Sequence, residues 1–409
     1  MRVVVFGAGY AGLTLTQRLE GTLPESVELL LVDEEDTHLL RHELHRVIRR
    51  PEVIDAIEIP LASVLDRAQV VTGRVAEIDH EAGEATFQEG HEPERARDGT
   101  LEYDYGAVCL GSETAFYDLP GVETNAIPLK RKSHALAIRD SFLDLCDAAG
   151  DGRRGSVVIG GAGLSGIQVA GELSALAAEA GVPVGSEATR DRDAPAESPA
   201  PAPVEIVLLE QMETIAPGFD AGFQRAIRNA LEDRGVDVRT GISVQEADDG
   251  AVGTDKGTVD ADLFVWTGGI RGPDATSGTR STVRADLRVS ESTFVVGDAG
   301  RIVDAEGRPV PATASAAIRA SKTAARNITR LVEHDLEGGT GFEPSLERYR
   351  FSVPGWAVSV GDDAVASVGG QVITGQAAKK LKAAIGGGYL VSTRATRQAL
   401  ELVRSELAG

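Results

Sequence analysis

The sequence contains few cysteines and few basic residues. Only two of its 409 residues are cysteine, Cys109 and Cys146, and they form neither a disulfide framework nor a CxxC redox pair. Lysine and arginine number 41 against 63 aspartates and glutamates, so the net charge is −22. Because nucleic-acid phosphates are bound by clustered cations, this balance argues against nucleic acid as a partner. Only seven basic residues are lysine, and this scarcity with so much acid predicts a halophile-like surface whose self-repulsion is screened by salt.

Long apolar runs are also missing. No stretch approaches the roughly 20 apolar residues that a membrane-spanning helix requires. The first predicted strand begins at Arg2, which leaves no room for a signal peptide, so a cytoplasmic location is expected. Three histidines fall within eight residues (His38, His42 and His45), but their spacing matches no ligand pattern, and no metal site is predicted.

The most informative stretch is the first one, residues 2–33, which predicts a strand, a glycine turn, a helix and a second strand. The turn reads GAGYAG. In this pattern Gly7 permits the tight turn, Gly9 lets the backbone approach a pyrophosphate, and Gly12 lets the helix pack close to the strand. Asp33 ends the second strand, where a ribose hydroxyl needs an acceptor. The stretch therefore predicts a dinucleotide site.

A second unit of the same kind begins at the strand 155–160. Its glycines are Gly161, Gly163 and Gly166, and its second strand, 204–209, ends at Glu210. Between helix and strand lies 185–203, rich in Pro, Ala and acid, which we interpret as a flexible surface insertion. Two complete units in one chain favour two dinucleotides whose reactive rings meet, such as a flavin and a nicotinamide.

The remaining pattern predicts ordinary α/β elements. Apolar residues in 39–47 have helical spacing, with Arg41 positioned either to line a site or to face water. Strands are predicted at 69–75 and 101–110 with a hairpin loop at 88–100, and helices at 219–234 and 312–334. A buried strand ending in an acid is predicted at 294–299, with strands near 357–373 and a closing helix at 392–407. Six basic residues in 371–404 could meet an anionic lipid surface; the alternative is a helix docked on the protein or at a dimer interface.

Several stretches resemble a known family. Residues 103–111 with 119–121 and the segment 294–298 are similar to FAD-domain motifs of the two-dinucleotide flavoproteins, whose architecture is glutathione-reductase-like. Within that superfamily, 205–217, 265–270 and above all 375–390 resemble the type II NADH dehydrogenases, which are NADH:quinone oxidoreductases.

The resemblance implies an α/β fold with two Rossmann-like domains and a small C-terminal α+β domain. The FAD-binding domain would comprise 1–120 and 272–335, the NADH-binding domain 121–271, and the C-terminal domain 336–409. Implied cofactor-binding residues are Gly7, Gly9, Gly12, Asp33, Arg41, Val75, Gly111, Gly297 and Asp298 for FAD, and Gly161, Gly163, Gly166, Glu210 and Gly268 for NADH. Glu172 and Lys382 are the implied catalytic residues, with Lys382 near the flavin and Glu172.

The implied activity is transfer of hydride from NADH to FAD and of two electrons to a quinone. This chain departs from the family segments at Gln168, Ser315 and Arg319, and these changes leave the acceptor open. A soluble reductase of a ferredoxin or rubredoxin, a sulfide:quinone oxidoreductase and a flavin-bearing redox sensor are the alternatives. A homodimer and peripheral contact with the inner face of the cell membrane are further expectations.

Overall fold

The computed structural model describes residues 1–185 and 201–407. Most of the predicted flexible insertion, 185–203, lies outside the described residues.

The first part of the chain contains one glycine-turn unit followed by short strands. Its elements are β1 (Arg2–Phe6), α1 (Tyr10–Glu20), β2 (Glu28–Asp33), β3 (Thr37–Leu39), α2 (Arg46–Arg49), α3 (Ile54–Ile57), β4 (Glu58–Pro60), β5 (Gln69–Thr72), β6 (Val75–Asp79), β7 (Glu84–Phe87), β8 (Thr100–Glu102), β9 (Tyr105–Val108) and β10 (Glu113–Thr114).

The middle of the chain contains the second unit. Its elements are α4 (Val122–Asn125), β11 (Ile127–Pro128), α5 (Lys132–Gly150), β12 (Gly155–Gly160), α6 (Leu164–Glu179), β13 (Val204–Glu210), α7 (Ala221–Glu232), β14 (Asp237–Thr240), β15 (Val244–Asp248), β16 (Gly250–Thr254), β17 (Gly257–Ala261), β18 (Leu263–Trp266) and β19 (Ile270–Arg271).

The chain then returns to the first sheet and ends in a helical pair. The last elements are β20 (Ser281–Val283), β21 (Thr293–Val295), β22 (Gly300–Ile302), α8 (Ala314–Leu336), β23 (Gly355–Val360), β24 (Asp363–Val368), β25 (Gln371–Thr374), α9 (Gly375–Ser392) and α10 (Thr396–Leu407).

Two five-stranded parallel sheets have equivalent strand orders. The first is β21-β9-β1-β2-β5 and the second is β11-β18-β12-β13-β14. Their central strands are continuous apolar runs because helices or loops cover both faces: the side chains of Val3, Val4 and Val5 in β1 are fully buried, as are those of Val157 and Ile159 in β12. Each glycine turn follows the central strand of its sheet, which places both turns at carboxyl ends of strands, where open α/β sheets bind ligands. This architecture confirms the predicted α/β fold with Rossmann-like units.

Some predicted elements differ from the structure. The predicted helix at 39–47 is wrong, because Leu39 ends strand β3 and only Arg46–Arg49 is α-helical. The apolar spacing there comes from side chains that enter the core from a strand and short turns. The strands predicted at 69–75 and 101–110 are each two strands, β5 with β6 and β8 with β9. Helix α9 was not predicted, since its three consecutive glycines, 386–388, are poor helix formers.

The C-terminal part is an antiparallel sheet, β23-β24-β25, against which α9 packs. Helix α10 folds back onto α9 and α3. It is anchored by hydrogen bonds from the Arg46 and Arg50 guanidinium groups to the hydroxyl and carbonyl oxygens of Ser405, 2.9 and 3.1 Å long. None of the helices in the two described ranges has both the length and the apolarity needed to cross a bilayer.

Candidate active site

The first glycine turn has three glycines for three different reasons. Gly7 has a φ of +101°, and a Cβ added there would lie 2.5 Å from the Cys109 carbonyl oxygen. A Cβ on Gly12 would lie 1.7 Å from the Gly7 carbonyl oxygen. A Cβ on Gly9 would meet no protein atom within 4 Å. The outer glycines are therefore required by backbone packing, while Gly9 faces an open cleft as a pyrophosphate cradle would.

The second glycine turn repeats this arrangement. Gly161 has a φ of +97°, and a Cβ on Gly166 would lie 2.0 Å from the Gly161 carbonyl oxygen, whereas one on Gly163 would meet nothing within 4 Å. The Cα of Gly268 lies against this turn, 2.7 Å from where a Cβ on Gly161 would be. The structure thus brings Gly268 to the second cleft.

An acid at the end of the neighbouring strand closes each turn. The Asp33 carboxylate accepts hydrogen bonds from the backbone N–H groups of Ala8 and Glu35, and burial raises its pKa. The Glu210 carboxylate accepts from the N–H groups of Ala162 and Met212, at 2.8 and 2.9 Å. Each acid orients the turn beside it and lies at the cleft where a ribose hydroxyl would need an acceptor.

Around Asp298 three cations converge on the first cleft. Burial raises the pKa of Asp298, while the charges of Lys130, Arg280 and Arg41 act in the opposite direction. The Arg280 guanidinium donates to the backbone oxygens of Asp298 and Gly300, both at 2.8 Å. The sequence did not predict Lys130 and Arg280 as residues of this site, because each lies in a segment with no recognisable motif.

The other implied FAD residues differ in their closeness to this cluster. A Cβ on Gly111 would lie 3.5 Å from Nη1 of Arg41, and one on Gly297 would lie 3.1 Å from Cβ of Ala11 at the start of α1. Val75 begins β6 opposite Phe87 and packs against the apolar cluster beneath the sheet. The structure therefore gathers Arg41, Gly111 and Gly297 at the cleft, whereas Val75 lies at the start of β6 against the apolar cluster.

Glu172 is a buried carboxyl on α6, the helix that follows the second glycine turn. Its Oε2 lies 2.9 Å from the Arg49 guanidinium, which also contacts Asp362 at 2.7 Å and Glu179 at 3.5 Å. Burial raises the pKa of Glu172 to about 7, because the nearby charges of Arg49, Arg46, Lys382 and Arg50 compensate the lost hydration only in part. Glu172 can therefore exchange a proton near neutral pH.

Lys382 forms its ion pairs with Glu43 and Glu406. Its ammonium lies 2.8 and 2.9 Å from the two Glu43 carboxylate oxygens and 3.5 Å from Glu406, and its charge also acts on Glu172 by lowering the pKa of that carboxyl. Arg46 contacts both carboxylates, at 3.3 and 3.1 Å. This buried quartet balances two positive and two negative charges, and Lys382 holds the pKa of Glu43 well below its usual range.

The histidine-rich segment packs beside this quartet. The His42 imidazole forms a hydrogen bond with the Tyr10 hydroxyl and lies 3.2 Å from Glu43. His38 bonds the Ala8 carbonyl at 2.8 Å and the Tyr389 hydroxyl at 3.1 Å, and burial lowers its pKa to about 4. These partners fix a neutral His38 beneath the first glycine turn.

The two cysteines are buried thiols whose environment disfavours the thiolate form. Burial raises the pKa of Cys109 far above its ordinary value and that of Cys146 to about 11. Neither thiol is ionised near neutral pH, so neither is activated as a nucleophile.

The six cations of 371–404 do not form one exposed patch. Lys379 and Lys382 are buried, and Arg394 lies 2.5 Å from Asp66. Apolar side chains are exposed instead on the α9 and α10 surface: Ile385, Val391 and Leu400 are 55%, 57% and 57% exposed.

The chain is similar in sequence to known flavin- and nicotinamide-dependent oxidoreductases. The family model described as pyridine nucleotide-disulphide oxidoreductase matches residues 1–321. A type II NADH:quinone oxidoreductase of Staphylococcus aureus is 25% identical over 407 residues, covering 94% of each chain. The sequence-based resemblance to type II NADH dehydrogenases is thereby confirmed.

Solved structures share the fold over nearly the whole chain. NDH2 from Plasmodium falciparum in complex with NADH has a TM-score of 0.76 at 12% identity, with 98% of this chain and 97% of that chain covered. The sulfide:quinone oxidoreductase of Aquifex aeolicus has a TM-score of 0.75 at 18% identity, with 96% and 91% covered.

Proposed function

Because the chain belongs to the pyridine nucleotide-disulphide oxidoreductase family, we propose that it is an FAD-dependent NADH:quinone oxidoreductase. The observation that carries the proposal is the pair of glycine turns, each closed by an acid and each open at its middle glycine. FAD held in the first cleft would supply the chemistry, which is acceptance of a hydride from NADH and transfer of two electrons to a quinone.

In the first cleft, the residues present fit FAD. The open face at Gly9 and the N-terminus of α1 offer backbone N–H groups to the pyrophosphate. Asp33 would accept a hydrogen bond from the adenosine ribose, and Asp298 from the ribityl chain. The cations around Asp298 counter the negative charge of a cofactor with two phosphates.

In the second cleft, the residues fit NADH better than NADPH. Gly163 faces open space, and Glu210 is buried beside it with both carboxylate oxygens already accepting backbone N–H groups. A carboxylate here accepts from a ribose hydroxyl and repels a 2′-phosphate.

A quinone is the acceptor that we infer. The near full-length similarity to NADH:quinone oxidoreductases supports it. Sulfide oxidation by redox cysteines is disfavoured, since Cys109 and Cys146 are buried and their pKa values are raised. Glu172, with its pKa near 7, is the group that we assign to proton movement beside the reacting rings.

The C-terminal helices are the surface that we propose for peripheral contact with a membrane. The exposed apolar side chains of Ile385, Val391 and Leu400 support this assignment, with Lys380 exposed on the same helix as the first two. Flotation with anionic liposomes tests it; a protein that stays at the bottom of the gradient would assign these side chains to a dimer interface or to solvent instead.

The experiment that tests the activity is an absorbance titration of the purified protein. We expect a yellow flavin spectrum, bleaching on anaerobic addition of NADH, and recovery on addition of a water-soluble quinone. If NADH bleaches the flavin and ferredoxin or rubredoxin restores its colour while quinone does not, the acceptor is that protein and not a quinone. A colourless protein that NADH leaves unchanged would overturn the assignment.

A further inference from the structure

Lys130 links the second sheet to the first cleft. Its backbone follows β11, the edge strand of the second sheet, where Ile127 pairs with Val265. Its ammonium donates a 3.2 Å hydrogen bond to the Ser112 hydroxyl, and Ser112 lies just beyond β9 of the first sheet. The side chain therefore spans from the second sheet to the carboxyl end of the first, the end at which the first glycine turn lies.

The surroundings of Lys130 are those of the first cleft. Asp298, Arg41, Arg280 and Glu113 are the charged groups that act on its ammonium. Its backbone N–H bonds the His134 imidazole at 3.3 Å, which fixes the start of the side chain. The ammonium is largely buried, and this burial lowers its pKa.

Lys130 differs from Lys382 in how its charge is compensated. The Lys382 ammonium contacts two carboxylates, so most of its charge is compensated at short range. The hydrogen bond that holds the Lys130 ammonium goes to a neutral hydroxyl, and the charges of Asp298 and Glu113 that act on it are opposed by those of Arg41 and Arg280. A charge held by a neutral partner in a partly dehydrated cleft acts over a longer distance than one inside an ion pair.

Resting on the proposed function, we propose that Lys130 is a positioning residue that raises the reduction potential of the bound flavin by stabilising the negative charge that reduction adds. Lys130 keeps its proton and forms no bond in the reaction: NADH gives up a hydride, the flavin gains two electrons and one proton, and the fixed ammonium lowers the energy of the product.

The test is the two-electron midpoint potential of the holoenzyme, measured by spectroelectrochemistry. We expect Lys130→Met to shift the flavin equilibrium at least tenfold toward the oxidised form, which is about 30 mV for a two-electron couple. Lys130→Arg keeps the charge and should stay close to the wild-type potential. Lys132→Met is the matched control, because Lys132 lies two residues away in an ion pair with Glu58 and is half-buried.

The outcomes are distinguishable from failure of the proposed function. If the wild-type protein binds no flavin or NADH does not bleach it, the proposed function fails before this measurement. If Lys130→Met does not retain FAD, Lys130→Gln supplies an uncharged donor to Ser112 and its potential is measured instead. An unchanged potential in the uncharged variants, or an equal shift in Lys130→Arg or Lys132→Met, would overturn the inference.

Discussion

At the scale of single residues, the group with the clearest chemical consequence is Glu172. A carboxyl with a pKa near 7 is protonated in slightly acidic solution and ionised in slightly basic solution. The native state therefore keeps a proton that the unfolded chain releases at about 4.5, so the free energy of unfolding falls as the pH rises from about 4.5 to about 7. The buried, titrating Glu172 therefore lowers the free energy of unfolding near neutral pH.

Replacing Glu172 with Gln removes the titration but keeps a side chain of the same shape. We expect the rate of quinone reduction in the wild type to change around pH 7, and the Glu172→Gln profile to be flat there, with kcat about 100-fold lower. Steady-state kinetics from pH 5.5 to 8.5 measure both. Glu179→Gln is the control, because Glu179 contacts the same Arg49 but is largely exposed; an equal effect of the control would assign the change to Arg49.

Glu210 gives a prediction of cofactor choice. We expect Glu210→Gln to reduce the ratio of kcat/KM for NADH over NADPH about tenfold, because the amide no longer repels a 2′-phosphate. The same ratio should be unchanged in Glu205→Gln, on the same strand but paired with Arg239 at the surface. A wild-type protein that uses both reductants equally would contradict the assignment of Glu210.

At the scale of elements, the two strand–turn–helix units are equivalent in geometry and distinct in proposed ligand. In both, the middle glycine has an extended backbone conformation that any residue can adopt, with φ of −67° at Gly9 and −70° at Gly163. An alanine at Gly9 or Gly163 would therefore place its methyl group in the cleft without touching another protein atom. Substitution at Gly12 or Gly166 would place a methyl group on a carbonyl oxygen, with the cost of overpacking.

Alanine at the two middle glycines separates the two clefts. We expect Gly9→Ala to fold with a near-wild-type melting temperature but to lose FAD, measured by the flavin absorbance per protein. Gly163→Ala should keep FAD and raise the KM for NADH about tenfold or more. Gly12→Ala is the contrasting control, with a lower melting temperature. Loss of FAD from Gly163→Ala instead would reverse the assignment of the clefts.

At the scale of the whole molecule, the quartet of Glu43, Arg46, Lys382 and Glu406 holds the C-terminal helices on the first sheet's side of the protein. Lys382 and Glu43 are 339 positions apart in the chain. Because the pKa of Glu43 is lowered, its contribution to stability is present above its unfolded value of about 4.5 and is lost as the pH falls below it.

Removing one cation from this quartet should destabilise the fold. We expect Lys382→Met to lower the free energy of unfolding by about 3–5 kcal/mol, because it leaves buried carboxylates under-compensated. Adding Glu43→Gln should recover part of the loss. Urea unfolding followed by circular dichroism measures both, and Lys380→Met, at an exposed position of the same helix, serves as control. A Lys382→Met protein as stable as the control would show that the quartet is not a structural link.

The sequence by itself determined the features that depend on neighbouring residues. Gly7, Gly12, Gly161 and Gly166 could be predicted because a strand, a turn and a helix of fixed geometry leave no room for a Cβ at those points. The parallel order of strands followed from the same βαβ pattern. Asp33 and Glu210 could be placed because each ends the strand next to its turn.

Only the tertiary structure decided which distant charges meet. Lys382 could not be assigned to Glu43 rather than Glu172 from spacing, and Lys130 carried no motif that would connect it to Ser112 or Asp298. The helix α9, with its run of glycines, is formed because it packs on β24 and α10, which local propensity does not report. A turn is specified by the few residues that form it, whereas a buried ion pair is specified by the whole fold that removes both partners from water.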